Sequence, residues 1–210
     1  NGHKILKNKI IKKKFVYLIS PNRINNNNFY KQLENLFKTK KISFFQLRLK
    51  SEKIINKLII GKKISKICKK YNVKFIINDD PILANKLNSD GCHLGQKDMK
   101  ILEAQKILKN KIVGITCHNS LNLVKQAIKN KANYIAIGAF NPSKTKKVKF
   151  KANIKLLKVV KKITSIPIVA IGGINHTNYK NLLLNKANFL AISGYIWKNK
   201  KYKPLQAIER

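Results

Sequence analysis

Short apolar runs rich in β-branched and aromatic residues recur along the chain, and stretches with helical spacing of Leu, Ile and Ala lie between them. These runs are almost continuously apolar, which is typical of parallel strands that are covered by helices. The pattern predicts eight strands, at 15–20, 42–49, 73–79, 91–95, 111–116, 134–138, 166–172 and 189–193. It predicts helices at 28–38, 52–70, 81–87, 98–108, 121–129, 154–162 and 177–184.

Eight alternating strand and helix units within 210 residues favour an α/β fold, a single-domain (β/α)₈ TIM barrel, over an open doubly wound sheet. Residues 195–210 are expected to supply the last helix. Residues 1–14 are expected to form a basic N-terminal arm or leading helix, which leaves 15–210 as the barrel. Chemistry in such barrels lies on the loops after the carboxyl ends of the strands, so unusual residues there are the candidates for function.

The second predicted strand ends in a polar alternation, QLRLK. Residues on alternate positions of a strand share a face, so Gln46, Arg48 and Lys50 are expected on one side and Leu47 and Leu49 on the other. A solvated sheet edge would also explain three polar groups in a row. Because a closed barrel has no free edge, an inward site for an anion or a polar ring is favoured.

Acidic residues are rare in this chain, and their positions are therefore informative. Only eight Asp and Glu residues occur, and four of them lie between Asp79 and Asp98. Asp79 follows Asn78 at the end of the third strand, and Asp98 follows the fourth strand. Two carboxylates from neighbouring loops could hold Mg²⁺, with substrate phosphate oxygens as further ligands. Alternatively, Asp98 only caps the next helix and Asp79 only satisfies its loop.

Three later loops carry groups suited to a phosphate. The loop after the sixth strand, GAFNPSKTKK, gathers Ser143, Thr145 and Lys146, although a lysine-rich turn would look similar. The seventh strand runs into a glycine pair that ends at Gly173, and the eighth ends at Ser193. Loops after the seventh and eighth strands often bind phosphate in barrels, but a glycine pair alone is weak support.

The formal net charge of +38 would favour nucleic-acid binding if it were concentrated on one face. Only 3 of the 46 basic residues are arginine, and the lysines are spread along the whole chain. This distribution indicates a compositional bias, with non-specific polyanion binding in vitro and no specific nucleic-acid partner. No apolar stretch is long enough for a membrane span, so a cytoplasmic protein without a membrane partner is expected.

The cysteines and histidines add no further site. Cys68, Cys92 and Cys117 form no CxxC pair and have no His at metal-ligand spacing, which indicates buried thiols of a reduced compartment. His93, in the fourth strand, is interpreted as structural. No role is assigned to the other histidines.

Taken in order, the motifs QLRLK, IINDD, DGCHLGQKD, GIT, YIAIGAFNPSKTK, IVAIGGIN and ISG resemble the thiamine phosphate synthase family over all eight strands. The resemblance implies a transferase of thiamine biosynthesis. Such an enzyme couples 4-amino-2-methyl-5-(diphosphooxymethyl)pyrimidine with thiazole phosphate or its carboxylated form, and it releases pyrophosphate with the help of Mg²⁺.

The resemblance also implies a role for each candidate residue. The groups for the pyrimidine diphosphate are Gln46, Arg48, Lys50, Asn78, Thr116 and Lys146, of which Arg48, Lys50 and Lys146 neutralise the leaving pyrophosphate and count as catalytic. The groups for the thiazole phosphate are Ser143, Thr145, Gly173, Ile192 and Ser193, and the Mg²⁺ ligands are Asp79 and Asp98.

The chain departs from the family pattern at a few of these positions. Asp80 stands where the family often has Arg, which adds negative charge beside the metal. Thr116 and Ser143 each replace one hydroxyl residue by another.

Two alternatives stay open at this point. One is a thiazole tautomerase on the same barrel, which aromatises the thiazole phosphate without coupling. The other is a lysine-rich polyanion-binding protein on a vestigial barrel. The expected partners are otherwise the two small-molecule substrates and a second copy of the chain in a homodimer.

Overall fold

A computed structural model describes residues 14–141 and 152–209 of the chain. Eight parallel strands close in chain order into a barrel, with β8 paired to β1. They are β1 Val16–Ile19, β2 Ile42–Leu47, β3 Lys74–Asn78, β4 Gly91–Leu94, β5 Ile112–His118, β6 Tyr134–Ile137, β7 Ile168–Ala170 and β8 Phe189–Ile192. The (β/α)₈ barrel predicted from the sequence is confirmed.

Helices follow the strands and cover the outside of the barrel. In the described residues they are α1 Asn28–Lys38, α2 Ile54–Lys70, α3 Pro81–Lys86, α4 Ile101–Leu108, α5 Leu121–Lys129, α6 Ile154–Ile163, α7 Tyr179–Leu184, α8 Gly194–Trp197 and α9 Pro204–Ile208. In the part of the chain that the structure describes, no helix is both long and apolar enough to cross a membrane.

The apolar spacing of each helix determines which side faces the barrel. In α1 the buried residues are Phe29, Leu33, Leu36 and Phe37, which recur at helical spacing and so form one stripe. The outward side chains of the strands and these stripes make one continuous core around the barrel. The three cysteines are free thiols buried within it, as the sequence predicts.

A second, smaller core fills the inside of the barrel. It contains two tyrosines, Tyr17 and Tyr134, and the smaller residues Ala136, Val169 and Ala191. Gly114 on β5 is essential to this packing, because a Cβ atom there would lie 2.0 Å from Cζ of Tyr134. The tyrosine rings therefore fill one side of the barrel, while the small residues of β6, β7 and β8 leave space on the other.

Most element boundaries agree with the sequence within a few residues. Residues 195–210, which are expected from the sequence to supply the last helix, do contain it, but α8 ends at Trp197 and the last helix of the described residues, α9, begins only at Pro204. Proline lacks an N–H and is tolerated in the first turn of a helix but not in its interior, so Pro204 starts a new helix. The predicted N-terminal helix lies outside the described residues, apart from Lys14, which has no regular structure.

Candidate active site

A cavity of about 340 Å³ opens at the carboxyl ends of the strands. Five of the residues expected to bind the pyrimidine diphosphate or the metal line it: Gln46, Arg48, Asn78, Asp79 and Thr116. They come from β2, β3 and β5 or from the loops that follow these strands. The structure therefore brings together, at one mouth, residues that lie up to 70 positions apart in the chain.

The polar end of β2 faces this cavity only in part. Gln46 is buried inside the barrel at 3% exposure. Arg48 lies just beyond the strand, where its N–H donates to Oγ of Ser20 at 2.8 Å and its carbonyl accepts from the same hydroxyl at 3.2 Å. These two bonds hold the Arg48 backbone against the loop after β1. Lys50 is exposed and is not part of the cavity wall.

Asp79 and Asp98 are brought together at the rim of the mouth. The pKa of Asp79 indicates that the two side chains interact. Partial desolvation, followed by the interaction and repulsion with Asp98, raises this pKa to about 6, whereas the nearby charge of Arg48 and the side chain of Asn78 oppose the rise. Without a cation, the pair can hold its two charges this close only at a cost in free energy.

The loops around this pair explain how it is held. Asp79 has a left-handed backbone, φ 67°, and its N–H donates to the carbonyl of His93 at 2.8 Å. Asp98 folds back so that its Oδ2 accepts from the N–H of Gly95 at 2.7 Å. The alternative in which Asp98 caps the next helix is wrong, because α4 begins at Ile101 with Lys100 in the N-cap position.

The donor set fits a hard divalent cation such as Mg²⁺. The described residues contain no cluster of three or more His, Cys, Asp or Glu side chains that could enclose a metal. Two carboxylates beside an open cavity match the usual Mg²⁺ site, in which water and substrate phosphate oxygens fill the other positions. A bound cation would also offset the partial desolvation and the repulsion by Asp98 that raise the pKa of Asp79.

Asp80, the departure from the family pattern, has a structural partner of its own. Its Oδ1 accepts from the N–H of Leu83 at 3.0 Å, which makes it the N-cap of α3, and Pro81 occupies the first turn. Caps of this kind stabilise a helix by about 1 kcal/mol. The carboxylate of Asp80 is therefore engaged with the helix beside the candidate metal site.

A chain of hydrogen bonds crosses the floor of the cavity. Nε2 of Gln46 donates to the hydroxyl of Tyr17 at 2.9 Å, and the hydroxyls of Tyr17 and Tyr134 are 2.6 Å apart. Nδ1 of His93 lies 2.7 Å from the Tyr134 hydroxyl, and its Nε2 lies 2.7 Å from Oγ1 of Thr116. Burial lowers the pKa of His93 to about 4, so the imidazole is neutral at physiological pH.

Sequence reasoning missed three members of this chain: Tyr17, His93 and Tyr134. A signal was available, because Tyr17 alternates with outward-facing Val16 and Leu18 and must therefore point into the barrel. A tyrosine that points inward needs a partner for its hydroxyl. That signal did not identify the partner, which lies 117 residues away on β6.

The groups expected to bind the thiazole phosphate are described only in part. Ser143, Thr145 and Lys146 lie outside the described residues. Gly173 has φ 58°, and a Cβ atom on it would lie 2.2 Å from the carbonyl oxygen of Asn141, so the loop after β7 packs directly on the loop after β6. Ile192 ends β8 and is buried, and Ser193 precedes α8. The structure thus gathers Gly173, Ile192 and Ser193 at the carboxyl ends of β7 and β8, outside the wall of the 340 Å³ cavity.

Known proteins resemble this chain in sequence and in structure. The family model described as "Thiamine monophosphate synthase" matches residues 16–196. A thiamine-phosphate synthase of Pelagibacter ubique is 68% identical over 98% of this chain and 99% of its own length. One from Nitrosomonas eutropha is 39% identical over 72% of each chain. The solved structure of thiamine phosphate pyrophosphorylase from Pyrococcus furiosus superposes with a TM-score of 0.82, at 25% identity, over 97% of this chain and 94% of its own.

The family match over residues 16–196 covers all eight strands and the loops that carry the polar groups of the mouth. They extend over nearly the whole chain in the Pelagibacter ubique relative. This chain belongs to the thiamine monophosphate synthase family.

Proposed function

We propose that the mouth of this barrel joins the pyrimidine diphosphate to thiazole phosphate and so makes thiamine phosphate. The observation that carries the proposal is the interaction of Asp79 with Asp98 beside Arg48. Two carboxylates can hold Mg²⁺, and a reaction that expels pyrophosphate needs positive charge where the leaving group sits. The relatives named as thiamine-phosphate synthases support the same activity.

The reaction breaks one bond and forms another. The C–O bond between the pyrimidine methylene and the diphosphate breaks, and both its electrons leave with pyrophosphate. The thiazole nitrogen then donates its lone pair to the methylene carbon and forms the new C–N bond. Where the thiazole carries a carboxyl group, that group leaves as CO₂ and a proton takes its place. No protein nucleophile is required, so the task of the site is to align two substrates and to neutralise the leaving group.

Each charged residue has a specific part in this scheme. Asp79 and Asp98 would hold Mg²⁺, which when bound supplies positive charge to the pyrophosphate. Arg48 lines the cavity near Asp79 and offers a guanidinium to the same phosphates. Lys50, which is exposed in the loop after β2, and Lys146 are proposed to add charge to the leaving group once substrate is bound.

The polar groups deeper in the mouth are proposed to hold the pyrimidine ring. Gln46, Asn78 and Thr116 surround the floor and the wall of the cavity. A buried amide can pair with an aminopyrimidine edge, because it offers an acceptor and a donor side by side. This arrangement would leave the pyrimidine methylene at the open end of the mouth.

The thiazole phosphate is proposed to bind at the loops after β6, β7 and β8. Gly173 lies in the loop after β7, Ser193 follows β8, and Ile192 would offer an apolar contact at the end of β8. Ser143 and Thr145 are proposed to complete the site with hydroxyl donors. Barrels frequently bind phosphate at this position.

The wider setting is also proposed. Residues 15–210 would act as one catalytic barrel, with 1–14 as a basic arm, in a cytoplasmic homodimer that has no specific nucleic-acid partner. The molar mass in solution, measured by light scattering, tests the dimer. A mass of one chain at assay concentration would contradict it.

A variant panel tests the site assignment. Asp98→Asn keeps the size of the side chain but removes its charge, and Glu103→Gln removes one charge from the exposed face of α4. We expect Asp98→Asn to lower kcat/KM for thiamine phosphate formation by about 100-fold or more and Glu103→Gln to change it less than about twofold. Equal activity of the two variants would contradict the metal assignment.

The two alternatives make different predictions in the same panel. A tautomerase would aromatise the thiazole phosphate and form no thiamine phosphate. A polyanion-binding protein would bind DNA in a salt-sensitive manner that Asp79→Ala leaves unchanged, and it would show no coupling.

A further inference from the structure

Two groups proposed to hold the pyrimidine are joined through the inside of the barrel. Gln46 lies at one end of a hydrogen-bonded chain and Thr116 at the other, with Tyr17, Tyr134 and His93 between them. The four links measure 2.6–2.9 Å, which is the usual range for such bonds. Each hydroxyl, and the neutral imidazole, has only one hydrogen to donate, so the donor of one link determines the donor of the next.

The first link gives the chain its direction. Nε2 of Gln46 donates to the Tyr17 hydroxyl, so the hydrogen of Tyr17 is left for Tyr134. The hydrogen of Tyr134 is then left for Nδ1 of His93. His93 must consequently carry its single proton on Nε2 and donate it to Oγ1 of Thr116.

A protonated His93 would break this sequence. Both ring nitrogens would donate, and the Tyr134 oxygen would then accept from His93. With Gln46 donating to Tyr17, one phenolic hydrogen would be left without an acceptor inside the chain. The geometry therefore fits the neutral Nε2–H tautomer.

Packing fixes the middle of the chain. The rings of His93 and Tyr134 are stacked, with centroids 5.6 Å apart and planes at 17°. Tyr17 meets Tyr134 edge to face at 5.7 Å. Gly114 supplies the space for the Tyr134 ring, since any Cβ there would overlap it. The two hydroxyls and the imidazole thus have little freedom to rearrange.

The direction of the chain determines what its two ends offer to a ligand. With Nε2 of Gln46 engaged by Tyr17, the amide oxygen is left as an acceptor, and among the described residues no hydrogen-bond partner is found for it. With Thr116 accepting from His93, its own hydroxyl hydrogen is left as a donor. In the reversed chain, Gln46 would present only its NH₂ group and Thr116 only lone pairs.

An aminopyrimidine matches the first arrangement better than the second. Its exocyclic amine donates, and the neighbouring ring nitrogen and the diphosphate oxygens accept. A free amide oxygen on Gln46 can accept from the amine while the second hydrogen of Nε2 donates to the ring nitrogen, whereas in the reversed chain the amide oxygen already accepts from Tyr17.

We propose that His93 and Tyr134 are positioning residues, which hold the chain in the direction that turns the Gln46 oxygen and the Thr116 hydrogen toward the aminopyrimidine. This inference rests on the proposed function. Neither residue is required to touch the reacting atoms, and both act through the two ends of the chain.

The tautomer of His93 is the first test. Long-range ¹H–¹⁵N spectra of the ¹⁵N-histidine-labelled full chain distinguish a protonated from an unprotonated ring nitrogen, and the signal lost in His93→Asn assigns the residue. We expect a protonated Nε2 and an unprotonated Nδ1. A proton on Nδ1 would mean that the chain runs the other way and would overturn the proposal.

Tyr134→Phe is the second test, with Tyr71→Phe as a matched control. Tyr71 donates to Glu34 outside the barrel, at 3.0 Å. We expect Tyr134→Phe to raise KM for the pyrimidine diphosphate about tenfold, to leave KM for the thiazole phosphate within about twofold, and to give a mixture of His93 tautomers. Tyr71→Phe is expected to change none of these.

The outcomes distinguish a failure of the positioning role from a failure of the proposed function. Equal increases of both KM values would indicate a general loosening of the barrel and would overturn the positioning role. If Tyr134→Phe does not fold, Tyr17→Phe breaks the same chain one link earlier and carries the same expectations. A wild-type chain that does not couple the substrates contradicts the proposed function, whereas one that couples them with Nδ1 protonated contradicts only the positioning chain.

Discussion

Asp98 lies close enough to Asp79 to raise the pKa of its carboxyl group, although the two residues come from loops after two different strands. Like charges at this distance destabilise the folded chain unless a cation lies between or beside them. The protein keeps both carboxylates in a sequence that has only eight acidic residues. Such a pair is expected in a site that binds a cation.

The first prediction follows from this repulsion. In metal-free buffer near pH 8, Asp79→Asn should raise the free energy of unfolding by about 1 kcal/mol, because it removes a repulsion that solvent screens only in part. The same variant should lower kcat/KM by about 100-fold or more. Urea unfolding and the coupling assay measure the two effects. Asp90→Asn serves as the control, because Asp90 accepts from the N–H of Phe75 at 2.7 Å and removal of its charge should bring no gain in stability. A loss of stability in Asp79→Asn would contradict the assignment.

The second prediction concerns acid. His93 is neutral in the folded barrel with a pKa of about 4, whereas the unfolded chain binds the same proton near the ordinary value of 6.5. The free energy of unfolding should therefore fall as the pH drops from 6.5 toward 4, by up to about 3 kcal/mol, and His93→Gln should lose this part of the pH dependence.

Asp79 acts in the opposite direction over part of that range. Its pKa is raised to about 6, so the folded chain gains stability from Asp79 as the pH falls below 6. The comparison should therefore be made between Asp79→Asn alone and the double variant that carries Asp79→Asn and His93→Gln. Identical pH profiles of the two proteins would contradict the neutral, buried imidazole.

The third prediction tests the packing that seats Tyr134. Gly114→Ala would place Cβ 2.0 Å from Cζ of the tyrosine ring, and the ring cannot move aside because Tyr17 and His93 pack against it. We expect a loss of about 1–3 kcal/mol in the free energy of unfolding. Gly194→Ala is the stability control, since nothing lies within 4 Å of a Cβ there. Equal stability of the two variants would show that the Tyr134 ring can move aside, and would contradict tight packing inside the barrel.

The fourth prediction concerns Arg48. Arg48→Met removes a guanidinium that lines the cavity near Asp79, so the leaving pyrophosphate loses one of its positively charged partners. We expect kcat/KM to fall by about 100-fold or more, without recovery at higher Mg²⁺ concentration. Arg23→Met removes an exposed arginine and should leave kcat/KM unchanged. If added Mg²⁺ restored full activity to Arg48→Met, the proposed contact to the pyrophosphate would be wrong.

The sequence predicts the barrel well because its strands are short, apolar and separated by regular helices. The bounds of α1 and α5 agree with the sequence pattern residue for residue. Alternation along QLRLK correctly predicts that Gln46 points inward, but it does not reveal where the strand ends. β2 stops at Leu47, so Lys50 lies in the following loop and is exposed.

The chain from Gln46 to Thr116 could not be predicted in the same way. Its members lie on five strands, and their contacts depend on the closure and register of the whole barrel. A lone histidine such as His93 is usually structural, and only its two hydroxyl partners distinguish it. Gly114 is similarly uninformative in the sequence, because the ring that needs its space lies on the neighbouring strand.

The most direct test of the account follows both products of one reaction. Purified protein is given the pyrimidine diphosphate, carboxylated thiazole phosphate and Mg²⁺, and thiamine phosphate and pyrophosphate are measured in the same samples, with Mg²⁺ or either substrate omitted in parallel. The account predicts equal amounts of the two products, and neither product when any one component is missing. A folded protein that forms no thiamine phosphate in the complete mixture would contradict it.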